Sequence, residues 1–151
     1  MHLDGHQILL SATDVSNHLA CRHLTSLNRA SALGKKLYPV WEDPSLEALQ
    51  QRGREHEAGY VVSLRAQGLA ITEITGVDIT KSGKDKTIEA MRNGSDVIVQ
   101  AHLESGRWRG RADILLKKPT PSALGSWSYE VVDTKLSTET KGGAILQLCL
   151  Y

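Results

Sequence analysis

Cysteine is scarce in this sequence: the two residues present are Cys21 and Cys149, and they lack C-x-x-C spacing. Both fall in segments whose pattern predicts helices. A chain this poor in cysteine has no disulfide framework to stabilise it. The composition therefore favours a reducing, cytoplasmic setting.

Long apolar runs are also lacking, and no stretch is long enough for a membrane helix. The first residues, 1–6, have neither the basic region nor the apolar core of a signal peptide. There is no internal repeat and no low-complexity tract. With 151 residues, 40% of them hydrophobic and 23% charged, the chain has the composition of one domain that can bury a core. We expect no membrane partner.

A strong excess of charge of one sign is missing too, because the formal net charge is only +1. This value neither supports nor excludes a nucleic-acid partner. Local charge is more informative, since Arg107, Arg109 and Arg111 alternate on one predicted strand and Lys117 and Lys118 follow. Such a stripe can face phosphates, but basic residues also keep an exposed strand edge soluble. Both interpretations stay open.

Two long helices are predicted in the N-terminal half. The pattern from Ser11 to Asp14 is typical of a capping box, and the helix that follows is expected to run to about Ala32 and end at Gly34. Residues 35–43 form a predicted connector.

The second helix is expected to start at Asp43 and Pro44, an N-cap acid and a proline at the first helical position, and to reach Gly68. Spacings of three and four predict that one face is shared by Leu46, Leu49, Gly53, His56, Tyr60 and Leu64. A glycine inside a helix is costly. We therefore expect another element to pack closely at Gly53.

The rest of the chain predicts a mixed sheet. The expected elements are a strand over 69–75, a polar loop over 76–86, a short helix over 87–93, a β-hairpin over 96–118, a strand around Val131 and a helix over 139–151. Ser105 and Gly106 supply the hairpin turn. The predicted fold class is α/β, with a mixed central sheet flanked by helices.

The most informative stretch is 107–135, where each of two predicted strands carries an acid among apolar neighbours, Asp113 and Asp133. Lys135 follows Asp133 by two residues, so on a strand both side chains leave the same face. A buried carboxylate is costly unless it is paired or bound to a cation. The pattern indicates a metal site, although Asp133 and Lys135 alone would be more typical of an exposed ion pair.

These groups suit phosphodiester hydrolysis. A divalent cation lowers the pKa of a bound water and polarises a phosphoryl oxygen. Mg²⁺ prefers oxygen ligands and keeps several waters, whereas an imidazole such as that of His56 shifts the preference toward Mn²⁺. Lys135 would orient the attacking water and stabilise negative charge. By itself, however, a lone helical histidine such as His56 is more often a core or surface residue than a ligand.

The spacing from Asp113 to Asp133, Thr134 and Lys135 resembles the signature of the PD-(D/E)XK nucleases. Two further motifs, Gly-Arg-Glu-His-Glu at 53–57 and Gln-Leu-Cys-Leu-Tyr at 147–151, resemble those of the RecB-like branch. That branch includes the nuclease domains of RecBCD and AddAB and the exonucleases of CRISPR adaptation. Residues 11–21 also resemble bacterial RecB-like nucleases, which often precede a helicase region.

The resemblance implies a restriction-endonuclease-like core with a Mg²⁺ or Mn²⁺ site. By position, His56, Asp113 and Asp133 would be metal ligands, and the carbonyl of Thr134 would supply a further oxygen. Asp113, Asp133 and Lys135 would be the catalytic residues. The expected activity is that of an exonuclease on DNA ends or single strands, in DNA repair, recombination or defence, with a helicase region or subunit as partner.

The resemblance also implies nucleic-acid contacts by Gln147 and Tyr151, beside those expected of Arg109 and Arg111. Helix packing is the alternative role for Gln147 and Tyr151. Two alternatives to the exonuclease are kept. One is a non-catalytic nucleic-acid-binding or scaffold fragment of a larger nuclease-helicase, and the other is an endonuclease of the same superfamily.

Two departures from the family pattern concern the C-terminal part. Many relatives hold a [4Fe–4S] cluster with one cysteine upstream and three beyond the last helix. Cys21 matches the upstream cysteine, so a cluster would form only in a longer parent that supplies three more. The last core strand is also missing. We therefore expect one RecB-like domain, truncated or the front of a longer protein, with an N-terminal helical segment and connector (1–43) before a nuclease core (44–151).

Overall fold

The fold is mixed α/β, with a four-stranded mixed sheet flanked by helices and a separate two-stranded hairpin. The computed structural model describes residues 1–35, 43–76 and 81–151. In chain order the elements are β1 (His2–Asp4), β2 (Gln7–Leu9), α1 (Ala12–Ala20), α2 (Arg22–Ala32), α3 (Pro44–Ala66), β3 (Ile71–Glu73), α4 (Lys81–Arg92), β4 (Val97–Ser105), β5 (Trp108–Lys118), β6 (Ser128–Val132) and α5 (Gly142–Leu148). Among these helices none has the length and apolar character needed to cross a membrane.

The central sheet has the strand order β3-β4-β5-β6. β3 runs parallel to β4, and the other neighbours are antiparallel. β4 and β5 form the predicted hairpin, whose turn contains Gly106 at φ +58°, a conformation that glycine adopts without a steric penalty. The mixed sheet and its central hairpin are confirmed.

Two apolar clusters form the core, and neighbouring residues of β4 contribute to different ones. The first cluster contains Val61, Leu64, Val97, Val99 and Ile114. The second contains Ile74, Ala90, Ile98, Ala101, Ala112 and Leu115. Because successive strand residues point to opposite faces of a sheet, α3 and α4 cover opposite faces of this one.

The N-terminal helix is interrupted, so the prediction of one helix to Ala32 is wrong. Cys21 is extended (φ −158°, ψ 114°) and separates α1 from α2. The capping box is confirmed, because the backbone N–H and the hydroxyl of Ser11 both donate to Asp14, at 2.8 and 2.9 Å. The helix pair ends as expected, with Gly34 at φ +82°.

The β1–β2 hairpin has no counterpart in the predicted elements, although Gly5, which lies in its two-residue turn at φ +58°, is a residue typical of such turns. Beyond it, Leu10 joins the start of β5. The N–H of Leu10 donates to the carbonyl of Arg107 at 2.8 Å, and the N–H of Arg109 donates to the carbonyl of Leu10 at 2.9 Å. The N-terminal segment is therefore attached to the central sheet by backbone hydrogen bonds.

The predicted start of α3 is confirmed. The carboxylate of Asp43 accepts a hydrogen bond from the N–H of Ser45 at 2.9 Å, as expected of an N-cap residue. Most of the predicted connector, residues 36–42, lies outside the described residues, as does part of the predicted loop, residues 77–80.

The first half of α3 does not pack as expected. Leu46 and Leu49 are 52% and 54% exposed. A Cβ added at Gly53 would meet nothing within 4 Å outside its own helix backbone, so no element among the described residues packs closely there as expected. Burial on α3 begins only at Val61 and Leu64. Of the predicted face, Tyr60 and Leu64 pack in or against the first apolar cluster, whereas His56 is exposed.

α4 starts at Lys81, six residues before the predicted helix. It passes close to β4 at Gly83, which has no side chain to prevent the approach. A Cβ at Gly83 would lie 2.0 Å from Nδ1 of His102, which is buried. The hydroxyl of Thr87 donates to the carbonyl of Gly83 at 2.9 Å and accepts from the N–H of His102 at 3.0 Å. In sequence the glycine indicates a loop, but in the fold it permits a close helix–strand contact.

The C-terminal elements are shorter than predicted. β6 ends at Val132, so residues 133–135 follow the strand and do not extend it. α5 covers Gly142–Leu148 and packs beside α1, where the hydroxyl of Ser16 donates to the carbonyl of Gly143 at 3.0 Å.

Candidate functional site

The ladder between β5 and β6 places two acids opposite each other. Ile114 pairs with Val132, and one step further along both strands lie Asp113 and Asp133. A side-chain hydrogen bond links the two carboxyl groups. The side chain of Asp133 is only 7% exposed. The structure thus brings together the two acids that the sequence singles out.

It is unfavourable for both acids of this pair to carry a negative charge at the same time. Burial raises the pKa of Asp113 to about 7, and the hydrogen bond and charge of Asp133 add to the rise. Glu57 also raises this pKa, whereas Lys135 lowers it. Asp113 is therefore protonated below about pH 7.

Lys135 forms an ion pair with Asp133. Its Nζ lies 2.9 and 2.8 Å from the two carboxylate oxygens of Asp133. The contact is made in the segment after β6, so the expectation that both residues stand on one strand is wrong while their proximity is confirmed. Since Asp133 is nearly buried, the arrangement differs from an ordinary surface ion pair.

Glu57 on α3 is a site residue absent from the predicted set. Its negative charge raises the pKa of Asp113, and its carboxylate accepts a hydrogen bond from the side-chain amide of Gln100 on β4. Its spacing to Val61 and Leu64, four and then three residues, puts it on the buried helix face. That spacing is the sequence signal for Glu57.

His56, the predicted imidazole ligand, is exposed. The charges of Asp133 and Glu57 raise the pKa of Asp113 and that of Lys135 lowers it. Adjacent helix residues point in directions about 100° apart. Of these two adjacent residues, Glu57 is the half-buried one and His56 is exposed.

The described residues contain no group of three or more His, Cys, Asp or Glu side chains arranged to hold a metal ion. Two carboxylates, Asp113 and Asp133, are nevertheless a set that Mg²⁺ accepts, because this ion keeps several waters. Thr134, a predicted backbone ligand, is half-buried between Asp133 and Lys135. The donors brought together are oxygens, which suits Mg²⁺ or Mn²⁺ better than softer metals.

The two arginines predicted to contact nucleic acid, Arg109 and Arg111, lie in different parts of the structure. The guanidinium of Arg109 lies 3.0 Å from Asp4 and 3.8 Å from Glu104, at the N-terminal hairpin. Arg111 is half-buried in the groove between α3 and the sheet, which Glu57 and other side chains also line. Only Arg111 therefore lies beside the acidic site.

The residues of the last predicted motif pack against the fold. Gln147 is half-buried on α5. The ring of Tyr151 covers Gly110 on β5, where an added Cβ would lie 2.3 Å from the ring. Tyr151 also borders the second apolar cluster. Cys21 and Cys149 are exposed and form no disulfide.

Comparison with known proteins covered families, curated proteins and solved structures. A scan against protein-family models, a search of the curated proteins and a search of the solved structures each found no match. The interpretation of the site rests on its own residues, above all Asp113, Asp133, Lys135 and Glu57.

Proposed function

We propose that this chain is a metal-dependent deoxyribonuclease domain of the RecB-like branch of the PD-(D/E)XK superfamily, with a restriction-endonuclease-like core. The observation that carries the proposal is the meeting of Asp113, Asp133 and Lys135 at the end of the β5–β6 ladder. These are the three positions of the family signature, and they are separated by nineteen and one intervening residues in the chain.

In this proposal Asp113 and Asp133 hold Mg²⁺ or Mn²⁺, with the carbonyl of Thr134 nearby. When bound, the cation supplies an activated water and neutralises charge on the phosphate. The ammonium group of Lys135, already within 3 Å of Asp133, is placed to orient the attacking water and to stabilise the developing negative charge. Asp113 would have to be ionised to hold the cation, because a carboxylate is a ligand only in its deprotonated form.

The proposed substrate is DNA, taken at ends or as a single strand, and the proposed partner is a helicase region or subunit in the cytoplasm. Arg111 lies in the groove beside the acids and would contact phosphates, whereas Arg109 is engaged by Asp4 and Glu104. Gln147 and Tyr151 would contact the strand from α5 and the residues after it. A [4Fe–4S] cluster at Cys21 belongs to the proposal only for a longer parent.

The test is degradation of labelled linear and single-stranded DNA by the purified chain in Mg²⁺ or Mn²⁺. Asp133→Asn and Lys135→Ala are each expected to lower the rate at least about 100-fold, since a metal ligand or an electrostatic catalyst is removed. Lys118→Ala is the matched control, because Lys118 forms a comparable 3.1 Å ion pair with Glu130 on the same two strands. Equal rates in all three variants and the parent would refute the proposal.

A second candidate, a non-catalytic nucleic-acid-binding fragment, is favoured by two observations. The ammonium group of Lys135 is paired with Asp133, and no three-ligand metal group is found among the described residues. DNA binding that weakens steeply with salt, without cleavage in either metal, would support this candidate. Cleavage of covalently closed circular DNA would instead indicate an endonuclease.

A further inference from the structure

A cleft of about 510 Å³ lies at the N-terminal segment. Three parts of the chain line it: the β1–β2 hairpin with the residue after it, the helix α2, and the turn between β4 and β5. Asp113, Asp133 and Lys135 are not among the described residues that line it. The volume falls within the range of small-molecule sites, about 300 to 1,000 Å³. The cleft is therefore large enough for a ligand and is separate from the acidic site.

Two arginines give this cleft its charge. Arg29 belongs to the last turn of α2, and Arg107 lies in the turn between β4 and β5. In the described part of the chain, neither forms an ion pair with a carboxylate. None of the described residues that line the cleft is acidic, whereas the groove beside the acidic site contains Glu57 and Glu73 as well as arginines. The described lining of the cleft is therefore positively charged.

Arg107 is held in place by a neutral acceptor. Its Nε and one terminal nitrogen each donate to the carbonyl of Ile8 at 3.2 Å. A carbonyl orients the guanidinium without cancelling its charge, and only two of its five N–H donors are used in this way. A guanidinium that is already oriented loses less side-chain entropy when it binds an anion. Arg107 is thus prepared for an anionic ligand.

Asp14, the acid that contacts Met1 at the edge of the cleft, is already paired. The ammonium nitrogen of Met1 lies 2.7 Å from both of its carboxylate oxygens. The carboxylate also accepts hydrogen bonds from the N–H and the hydroxyl of Ser11, at 2.8 and 2.9 Å, and its side chain is only 7% exposed. Asp14 therefore does not compete with a ligand for the two arginines.

The cleft has an apolar part as well, since Met1, Ile8 and Leu10 line it and are half-buried. A phosphomonoester carries close to two negative charges at neutral pH and presents three acceptor oxygens. It therefore matches two guanidinium groups, whereas a single carboxylate matches one. A ligand that joins a phosphate to an apolar or aromatic body complements both parts of the cleft.

We propose that this cleft binds a small phosphomonoester of the nucleoside monophosphate class, with its phosphate on Arg29 and Arg107 and its base against Ile8 and Leu10. The inference does not rest on the proposed nuclease function, because the described lining of the cleft shares no residue with the acidic site. It also gives a role to the first of the three alternating arginines, which the acidic site does not use.

The test is a titration of the isotope-labelled chain with uridine monophosphate, followed by the amide signals in NMR spectra. Saturable shifts are expected for residues of the cleft, among them Ile8, Thr25 and Arg107. Uridine, which lacks the phosphate, should shift none of these signals at the same concentration. Inorganic phosphate should bind at least about 10-fold more weakly than uridine monophosphate, because it has no apolar surface to bury.

Arg29→Gln and Arg107→Gln should each weaken the binding of uridine monophosphate about 10-fold or more, because each removes charge-assisted hydrogen bonds. Arg29 is exposed and has no ion pair with a described residue, so Arg29→Gln should keep the parental melting temperature. The matched control is Arg92→Gln. Arg92 is likewise an exposed arginine in the last turn of a helix, α4, but it does not line the cleft, so this variant should bind like the parent.

Four outcomes overturn the inference. The first is the absence of saturable shifts in the cleft, and the second is parental affinity in folded Arg29→Gln. Equal binding of uridine and uridine monophosphate would show that the phosphate is not recognised, and equal affinity for inorganic phosphate would show that the apolar part is not used. A single-stranded oligonucleotide without a terminal phosphate should bind more weakly than uridine monophosphate; tighter binding would instead indicate a nucleic-acid surface. None of these measurements depends on DNA cleavage, so the proposed function stands or falls separately.

Discussion

Replacing Asp113 with asparagine is expected to stabilise the metal-free chain while removing its response to metal. A rise in pKa from 3.8 to about 7, at about 1.4 kcal/mol per pH unit, corresponds to at most about 4 kcal/mol of unfavourable free energy when Asp113 is charged. Because the site is partly open to solvent, screening reduces this to about 1 to 2 kcal/mol. Asparagine is close to the shape of the protonated acid and carries no charge.

The sign of the pH dependence follows from the raised pKa. The unfolded chain releases the proton of Asp113 near pH 3.8, while the folded chain keeps it until about pH 7. Between these values the folded state binds more protons, so this group lowers the free energy of unfolding as the pH rises. The gain from Asp113→Asn should therefore be small at pH 4 and complete at pH 8.

Thermal unfolding at pH 4, 6 and 8, with and without Mg²⁺ or Mn²⁺, measures both effects. At pH 8 without metal, a gain of about 1 to 2 kcal/mol raises the melting temperature by roughly 3 to 6 °C for a chain of this size. Saturating metal should raise the melting temperature of the parent but not of the variant, because only the parent retains the ligand pair. Asp85→Asn, at an exposed site on α4, is the control.

Two results would contradict this reasoning. If Asp113→Asn lowers the melting temperature at pH 8, its carboxylate makes a net favourable contribution and the repulsion at the site has been overestimated. If metal stabilises Asp113→Asn as much as the parent, the ion binds elsewhere.

Two further predictions concern glycines at close contacts. Gly83→Ala should destabilise the fold by about 2 to 3 kcal/mol in chemical unfolding, because its Cβ would overlap the buried ring of His102; Gly59→Ala on α3, where no described atom lies within 4 Å, should be neutral or stabilising by up to about 1 kcal/mol. Gly110→Ala should displace the ring of Tyr151, seen as a change in near-ultraviolet circular dichroism, whereas an unchanged spectrum would argue against this packing.

Local signals predicted much of the architecture. The capping box at Ser11, the N-cap at Asp43 and the hairpin turn at Gly106 are each set by a few neighbouring residues, and all three are confirmed. The proximity of Asp113 and Asp133 was also predictable, because both lie at matching points of adjacent strands. These features depend on short-range geometry that a sequence pattern expresses directly.

The rest depends on tertiary contacts. The buried side of α3 is set by where the sheet lies, and it includes Glu57 in part but not the adjacent His56. The early start of α4 depends on the approach of His102 to Gly83. The left-handed conformation of Gln100 has no local signal, since glutamine is not a residue that favours it. The features that the sequence did not predict are thus those that depend on contacts between segments far apart in the chain.

The attachment of the N-terminal segment to the sheet also concerns the predicted division of the chain into an N-terminal segment and a core. Leu10 adds backbone hydrogen bonds at the start of β5, the strand that carries Asp113, and Ser16 holds the first turn of α5. The segment that contains Leu10 and α1 therefore contacts both the start of β5 and α5. Removing it would leave the start of β5 without these hydrogen bonds and α5 without the helix beside which it packs, so this segment is a structural part of the same fold.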